Sequence, residues 1–406
     1  MILKGRYVVP ATGEVIENGG LRFRDGRIEE FLRGSGDATG RALDYGDAVI
    51  LPGLANAHTH LELSHLRGVV SPTSDFSEWL LRLVRATSEP SPSQKEVTES
   101  TRRGVAESLA AGTTAVGDIT RHPAWTRPVI ADSPLRGVSF GEIIAIGTRR
   151  DLLAARLAAA EAQTASSRVR AGLSPHAPYT VEPDALRTCA RRAASKDAPL
   201  CIHLAETRDE ERFTRSATGP LAELLRTLGV WDQRIAPTDL SPIELADAVG
   251  LLTPRTVIAH ANYVSDADLD LLARRSVSVA YCPRTHAAFG HAPHRFVDML
   301  ARGINVCLGT DSLASNPSLS ILEEMRFLRR QHPHVPPAQW LTMATRNGAH
   351  ALGLSDTVGS LEPGKVADCV VVPLDVSTPR QWHCFLDSSA PPLAVYIDGR
   401  LVAPSP

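Results

Sequence analysis

Short apolar runs recur along the middle of the chain, separated by longer stretches whose apolar residues fall at helical spacing. The runs are 48–58 (AVILPGLANAH), 113–119 (TTAVGDI), 137–146 (GVSFGEIIAI), 169–178 (VRAGLSPHAP), 199–206 (PLCIHLAE), 256–262 (TVIAHAN), 277–283 (VSVAYCP) and 304–311 (INVCLGTD). Each reads as a buried strand. Segments such as 149–163 (RRDLLAARLAAAEAQ) and 266–275 (DADLDLLARR) read as the helices between them. Eight strands alternating with helices over roughly 300 residues predict a closed (β/α)8 barrel. A doubly wound open sheet is the competing arrangement.

The two ends follow another pattern. Residues 1–50 (KGRYVVP, GGLRFRDGRIEEFL, ALDYGDAVI) and 356–406 (TVGSLEPGKVADCVVVPLD, PPLAVYIDGRLVA) hold strands broken by glycine turns. The expected fold is α/β: a distorted (β/α)8 TIM barrel over 51–355, with a small β-sandwich domain formed by both termini, 1–50 and 356–406. The first strand-to-helix connection, about 60–112, is long and contains the polar stretch SEPSPSQ at 88–94. Long connections in compact domains are often lids or binding elements. Internal repeats, GxGxxG and Walker A patterns are absent.

Five polar residues stand where apolar runs stop: His58 and His60 in ANAHTH, His203 in CIHLAE, His260 in VIAHAN and Asp311 in LGTDS. Three or four imidazoles with one carboxylate suit a borderline divalent metal, zinc or ferrous iron. His58 and His60 are two apart on a strand and point the same way. Any one of them alone has a blander explanation, since a histidine after a buried strand is often a hydrogen-bonded core residue. A carboxylate at the end of an apolar run costs too much unless it is paired or metal-bound. The ligand-type residues fall on the first, fifth, sixth and eighth runs. An open sheet would hold the first and eighth far apart, so the set itself favours closure.

Composition narrows the partners. Hydrophobic residues make up 43% and charged residues 22% of the 406, and the formal net charge is −2. Nothing there favours nucleic acid or an anionic membrane. No stretch approaches the roughly 20 apolar residues of a membrane span, and the start MILKGRYVVPATGEV lacks the pattern of a signal peptide. Six scattered cysteines without a CxxC pair fit a reducing cytoplasm. Nothing in the sequence sets the assembly, and a homodimer stays open.

The motifs HTH, HLAE, a lone histidine after the sixth run and GTDS resemble the amidohydrolase superfamily. GSLEPGKVADCVVV looks like that superfamily's C-terminal sandwich segment. HLAE, SPHAPYT and CPRTHAAF resemble its mononuclear branch of cytosine, guanine and adenosine-derivative deaminases and chlorohydrolases. The third and fourth runs hold no lysine, the residue whose carboxylated form bridges two metals in binuclear members. The resemblance therefore implies one divalent ion, Zn2+ or Fe2+, on His58, His60, His203 and Asp311. It implies that Asp311 also accepts a proton from the attacking water and that His260 hydrogen-bonds that water.

By the same resemblance Glu206, three residues after His203, shuttles protons to a ring nitrogen and to departing ammonia. A carboxylic acid beside a metal can do both. Its plainer alternative is a glutamate favoured at a helix N-terminus. His176 in SPHAPYT resembles a substrate-contacting histidine, and Glu78 in FSEWL a carboxylate that holds ribose hydroxyls. Glu78 equally fits a solvated helix position. Arg284 and His286 in CPRTHAAF, and Glu62 and His65 in HLELSH, are expected to face the pocket. Trp79 reads as core of the first connection.

The function expected is hydrolytic deamination of an aminated heterocycle. HLELS and SPHAPYT point to a 6-aminopurine nucleoside derivative such as aminodeoxyfutalosine, adenosine, methylthioadenosine or S-adenosylhomocysteine. The alternatives are an s-triazine or chloroheterocycle hydrolase, a cyclic-amide (imidazolone-type) hydrolase, and an inactive binding scaffold on the same fold. Chloride leaves without protonation, so Glu206 favours ammonia as the leaving group.

Overall fold

The structure, a computed structural model, describes residues 1–34, 41–374 and 381–404. Five strands open the chain: β1 (Ile2–Val8), β2 (Ile16–Arg24), β3 (Arg27–Arg33), β4 (Ala42–Asp44) and β5 (Ala48–Pro52). The eight barrel strands follow as β6 (Leu54–Thr59), β7 (Thr113–Thr120), β8 (Arg136–Ile143), β9 (Val169–Pro175), β10 (Leu200–Leu204), β11 (Thr256–His260), β12 (Ser278–Tyr281) and β13 (Asn305–Leu308). The last three are β14 (Cys369–Pro373), β15 (Ala394–Ile397) and β16 (Arg400–Pro404).

β6 to β13 pair in sequence order, every neighbour parallel. The seam between the last strand and the first is closed by the chain just beyond β13. The amides of Thr310 and Asp311 both donate to the His58 carbonyl, at 3.0 and 3.1 Å, and Asn56 Nδ2 donates to Thr310 Oγ1 at 2.8 Å. The barrel is thus stitched shut at the residues that carry candidate ligands. All eight expected barrel strands are present.

One expectation is corrected. The apolar run 48–58 is not a single strand: Gly53 divides it into β5 and β6. A Cβ on Gly53 would lie 2.2 Å from Thr114 Oγ1, so the chain passes from one sheet to the next where only glycine fits.

The chain ends build a second sheet in the order β16-β15-β14-β5-β1-β2-β3, with β4 beside β1. It curls on itself. Phe23 of β2 meets Tyr396 of β15 with ring centroids 6.2 Å apart, although four strand pairings separate those strands. Leu3, Leu21, Ile28, Ile50, Val371 and Tyr396 share the enclosed core. Alternate residues of the same strands, Val49, Leu51, Val370 and Val395, pack into the core around the barrel. A buried ion pair reinforces the join: Arg136 at the start of β8 donates to Asp368 from Nε (2.8 Å) and Nη2 (3.1 Å).

The first connection is helical: a 3-10 segment Leu61–Leu66 and helices Phe76–Ser88 and Gln94–Ala110. The polar stretch at 88–94 turns between the helices, and Ser93 caps the second in a reciprocal pair with Glu96. Trp79 is buried against Phe76 and Phe289, as core of that connection. All six cysteines are buried. No helix among the described residues is long and apolar enough to cross a membrane.

Gly137 in β8 shows how tightly the barrel is drawn. Its φ is +148°, and a Cβ there would sit 1.8 Å from the Val116 carbonyl oxygen of β7. Gly137→Ala should cost on the order of 3 kcal/mol or more, or abolish soluble expression. Urea unfolding of the variant beside the parent checks this.

Candidate metal centre and active site

The ligand-type residues converge at the C-terminal ends of the barrel strands, the end at which such barrels carry their active sites. His58, His60, His203, His260 and Asp311 are all buried. Asp311 Oδ1 lies 3.4 Å from His60 Nε2 and 3.7 Å from His58 Nε2. His203 Nε2 lies 3.3 Å from His60 Nε2. Two groupings have ligand atoms within 4.8 Å of one another, His58–His203–His260 and His58–His60–Asp311, and both contain His58.

The donors fit a cation. His203 Nδ1 donates to the His176 carbonyl at 3.1 Å, which leaves Nε2 as a lone-pair donor. His58 Nε2 is buried with no hydrogen-bond partner among the described residues. Burial holds the His58, His60 and His260 imidazoles well below their ordinary pKa, and burial together with His176 brings His203 to about 4. Neutral imidazoles gathered around a carboxylate, one of them unsatisfied, are the chemistry of a divalent-metal site.

Backbone geometry aims two of the five. In β11, Val257 shares a core cluster with Cys201, Ala280 and Cys307, whereas Ile258 packs in the cluster that holds the covering helices. The two-residue period of a strand would put His260 on the side of Ile258. Its φ of +76° breaks that period and brings its ring to 5.4 Å from that of His58, centroid to centroid. His294 Nε2 holds the His260 carbonyl at 2.8 Å. Asp311 also has a left-handed φ, +57°, and Ser315 Oγ donates to its Oδ2, leaving Oδ1 to face the histidines. Non-glycine residues in this region cost energy and cluster at functional sites.

Glu206 follows β10 and is buried, with Oε1 3.5 Å from His260 Nε2. The turn that carries it is clamped from below. The Glu210 carboxylate accepts from the amides of Ala205 (3.0 Å) and Glu206 (2.8 Å), and Asn262 Nδ2 donates to the Glu206 carbonyl at 3.1 Å. Burial, then Asp311 and Glu210, push the Glu206 carboxyl well above the usual range. This favours its protonated form, and a bound cation would pull the other way.

A cavity adjoins the centre through His60 and His176. His176 Nδ1 bonds Thr180 Oγ1 at 2.7 Å, so its Nε2 is the nitrogen open to a ligand. That nitrogen lies 3.9 Å from Glu142 Oε1. Glu62 lines the same cavity, but its carboxylate is occupied: it accepts from Thr120 Oγ1, the Arg121 amide and His122 Nδ1.

Four expected pocket residues, Glu78, Arg284, His286 and His65, lie elsewhere. Glu78 is exposed on the first turn of helix Phe76–Ser88, 3.7 Å from Arg82. The same helix turns Leu80, Leu83, Val84 and Thr87 to the cavity. Its apolar stripe decides which face points inward, and Glu78 falls on the other face. Arg284 is drawn away by Ser318, to which Nη1 donates at 2.8 Å, and by the buried Glu324, which accepts from its amide. Glu324 also binds Asn316, which donates to the Thr310 carbonyl, so Arg284 braces the turn of Asp311. His286 donates from Nε2 to the Ala292 carbonyl. His65 bonds Ser100 and lines a neighbouring cavity.

Three charged residues of the cavity were not singled out in the sequence: Glu142, Arg121 and Arg149. Glu142 lies inside the apolar run 137–146, where a buried carboxylate needs a partner just as Asp311 does. Arg121 directly follows β7 and Arg149 lies in a 3-10 segment, Gly147–Leu152, and nothing in the sequence marks either.

The Amidohydrolase family profile matches residues 49–402. A 5-methylthioadenosine/S-adenosylhomocysteine deaminase of Moorella thermoacetica is 31% identical over 391 residues, covering 92% of this chain and 85% of that protein. A 5'-deoxyadenosine deaminase of Methanoregula boonei is 32% identical, covering 81% of this chain and 72% of that one. The crystal structure of an adenosine deaminase from Xanthomonas campestris with bound zinc superposes with a TM-score of 0.81 at 26% identity, covering 98% of this chain and 92% of that chain. By profile, sequence and fold together, the chain belongs to the amidohydrolase family.

Proposed function

We propose that this protein hydrolytically deaminates a 6-aminopurine nucleoside derivative, with one divalent cation held by His58, His60, His203 and Asp311. The observation that carries the reading is the buried Glu206 carboxyl beside His260, at the edge of a neutral-imidazole ligand set. Its relatives' names supply the substrate class.

When bound, the cation, Zn2+ or Fe2+, supplies Lewis acidity and lowers the pKa of water. The residues do the rest. Asp311, with Oδ2 tied to Ser315, accepts a proton from the attacking water through Oδ1. Glu206 in its protonated form donates to the ring nitrogen beside the attacked carbon, which makes that carbon electrophilic. As a carboxylate it then takes the remaining proton of the added hydroxyl and delivers it to the amine, which leaves as ammonia, and the proton held by Asp311 returns Glu206 to its acid form. His260 fixes the water's direction of approach, held there by its left-handed backbone. His176 offers Nε2 to the purine or its amine. The barrel unit 51–355 carries all of this chemistry, and the sheet from 1–50 and 356–406 braces its far side.

His176→Ala should lower kcat/KM by roughly tenfold, the size of one neutral hydrogen bond, for free bases and nucleosides alike. Steady-state kinetics on adenine and adenosine check it. The reading itself is tested by incubating the purified metal-loaded protein with adenosine, 5'-deoxyadenosine, methylthioadenosine, S-adenosylhomocysteine and a chloro-s-triazine. Ammonia release from an adenosine derivative supports it. Chloride release from the triazine without deamination moves the chain to the chlorohydrolase reading, and no reaction supports a binding scaffold.

A further inference from the structure

His260 and Ala261 are consecutive non-glycine residues with left-handed φ values, +76° and +50°. Such a turn persists only where its surroundings over-determine it. The chain after β10 supplies part of the grip. The Ala261 amide donates to the Leu204 carbonyl at 3.0 Å, the Tyr263 amide to the Ala205 carbonyl at 2.9 Å, and Asn262 Nδ2 to the Glu206 carbonyl at 3.1 Å. Those bonds hold residues 261–263. The carbonyl of His260 itself is held from the loop after β12, by His294 Nε2 at 2.8 Å.

His294 is mounted for this contact. Its ring stacks on Tyr281, the last residue of β12, with centroids 4.0 Å apart and planes 16° from parallel. Phe296, the first residue of helix Phe296–Ala301, stacks at 6.3 Å. The loop around His294 is tied to the chain after β11: His291 Nδ1 bonds the Tyr263 hydroxyl at 3.2 Å, and Arg295 Nη2 donates to Asp266 Oδ1 at 2.6 Å.

Packing alone does not explain a histidine at this position. Burial brings the His294 imidazole to about 3, so the ring is neutral and carries one proton, the one given to the His260 carbonyl. Nδ1 is then a bare acceptor, shielded from solvent and without a hydrogen-bond partner among the described residues. A phenyl ring would keep the stack on Tyr281 and leave no such acceptor. What only the histidine supplies is the donor.

We infer that His294 is a positioning residue for the deamination: by holding the His260 carbonyl it fixes the left-handed turn that aims the His260 ring at the attacking water and, through Asn262, keeps Glu206 beside it. The inference rests on the deaminase reading above. His294 touches neither substrate nor metal in this role and acts through the backbone of residue 260.

Two variants separate the donor from the ring. His294→Phe keeps the aromatic stack and loses the donor. His294→Gln loses the stack and keeps an amide N–H that reaches where imidazole Nε2 stood. Steady-state kinetics of the metal-loaded proteins are measured on 5'-deoxyadenosine and methylthioadenosine, with metal content determined beside them. His294→Phe should lower kcat by roughly ten- to a hundredfold, the scale on which a displacement of about 1 Å acts on a reaction. KM should change little, because the aim of the water matters in the transition state and not in substrate binding. Metal content should match the parent's. His294→Gln should recover part of the lost kcat. Parental kcat in His294→Phe overturns the inference and leaves the deaminase reading standing. So does a loss confined to KM, a loss of metal from His294→Phe, or a His294→Gln variant slower than His294→Phe, which would make packing the role of the ring. If the parent deaminates no adenosine derivative, the functional reading fails and the inference falls with it.

Discussion

Glu206→Gln should keep its metal and lose deamination by roughly 10²–10⁴-fold, the usual contribution of a general acid–base group. The amide is close to the carboxyl in shape and size, and the clamp from Glu210 and Asn262 acts on the backbone of residue 206, so the turn stays in place. What disappears is the proton. The substitution also separates two chemistries by their leaving groups. Ammonia leaves only after protonation, whereas chloride does not need it. A variant that retains turnover of a chlorinated heterocycle while failing on an aminopurine would locate the defect in the proton shuttle. Turnover on the aminopurine near the parent's would remove Glu206 from the mechanism. Metal analysis belongs beside the kinetics, because loss of the ion would mimic loss of the acid.

Asp311→Asn should lose metal and activity together. Replacing the carboxylate removes the negative charge that faces His58 and His60 and leaves the imidazoles as the donors. Metal affinity should fall by more than the roughly 10–100-fold typical of losing an outer hydrogen-bond partner. On the proposed mechanism the variant also lacks the acceptor for the water proton, so adding excess Zn2+ should restore metal content further than it restores kcat. Asn tolerates the left-handed backbone of this position, and thermal melting of the metal-free proteins should therefore differ little. Full metal occupancy with parental kcat would exclude Asp311 from both roles. Combined with Glu206→Gln, the losses should be far from additive, since both residues serve one sequence of proton transfers.

The site was legible where burial and charge conflict. His58, His203, His260 and Asp311 each end an apolar run, and a buried strand tolerates such a residue only if something pays for it. Glu142, inside the run 137–146, meets the same conflict of burial and charge although it does not end the run. The barrel was legible for a related reason: strands buried on both faces read as continuous apolar runs, so each of the eight runs contains one barrel strand. The division at Gly53 was hidden because β5 and β6 are both fully buried, and hydrophobicity does not change where one sheet hands over to the other. Glu78 and Arg284 were misplaced for want of tertiary information. Whether a helix glutamate faces a cavity or water depends on the orientation of the whole helix, here set by Leu80, Leu83 and Val84. An arginine next to a pocket can be captured by a buried carboxylate 40 positions away in sequence, as Glu324 captures the loop of Arg284. The left-handed turn at His260, which brings its ring to Glu206 against the strand's period, leaves no mark in the sequence.

The most direct measurement is product analysis in isotopically labelled water. The purified protein, carrying one metal per chain, is incubated with a 5'-substituted adenosine, and ammonia and the purine product are quantified together. Hydrolytic deamination at this centre predicts one ammonia per purine converted and one solvent-derived oxygen at the position the amine occupied. Unchanged purine with no ammonia, across adenosine derivatives and at full metal occupancy, would contradict the account.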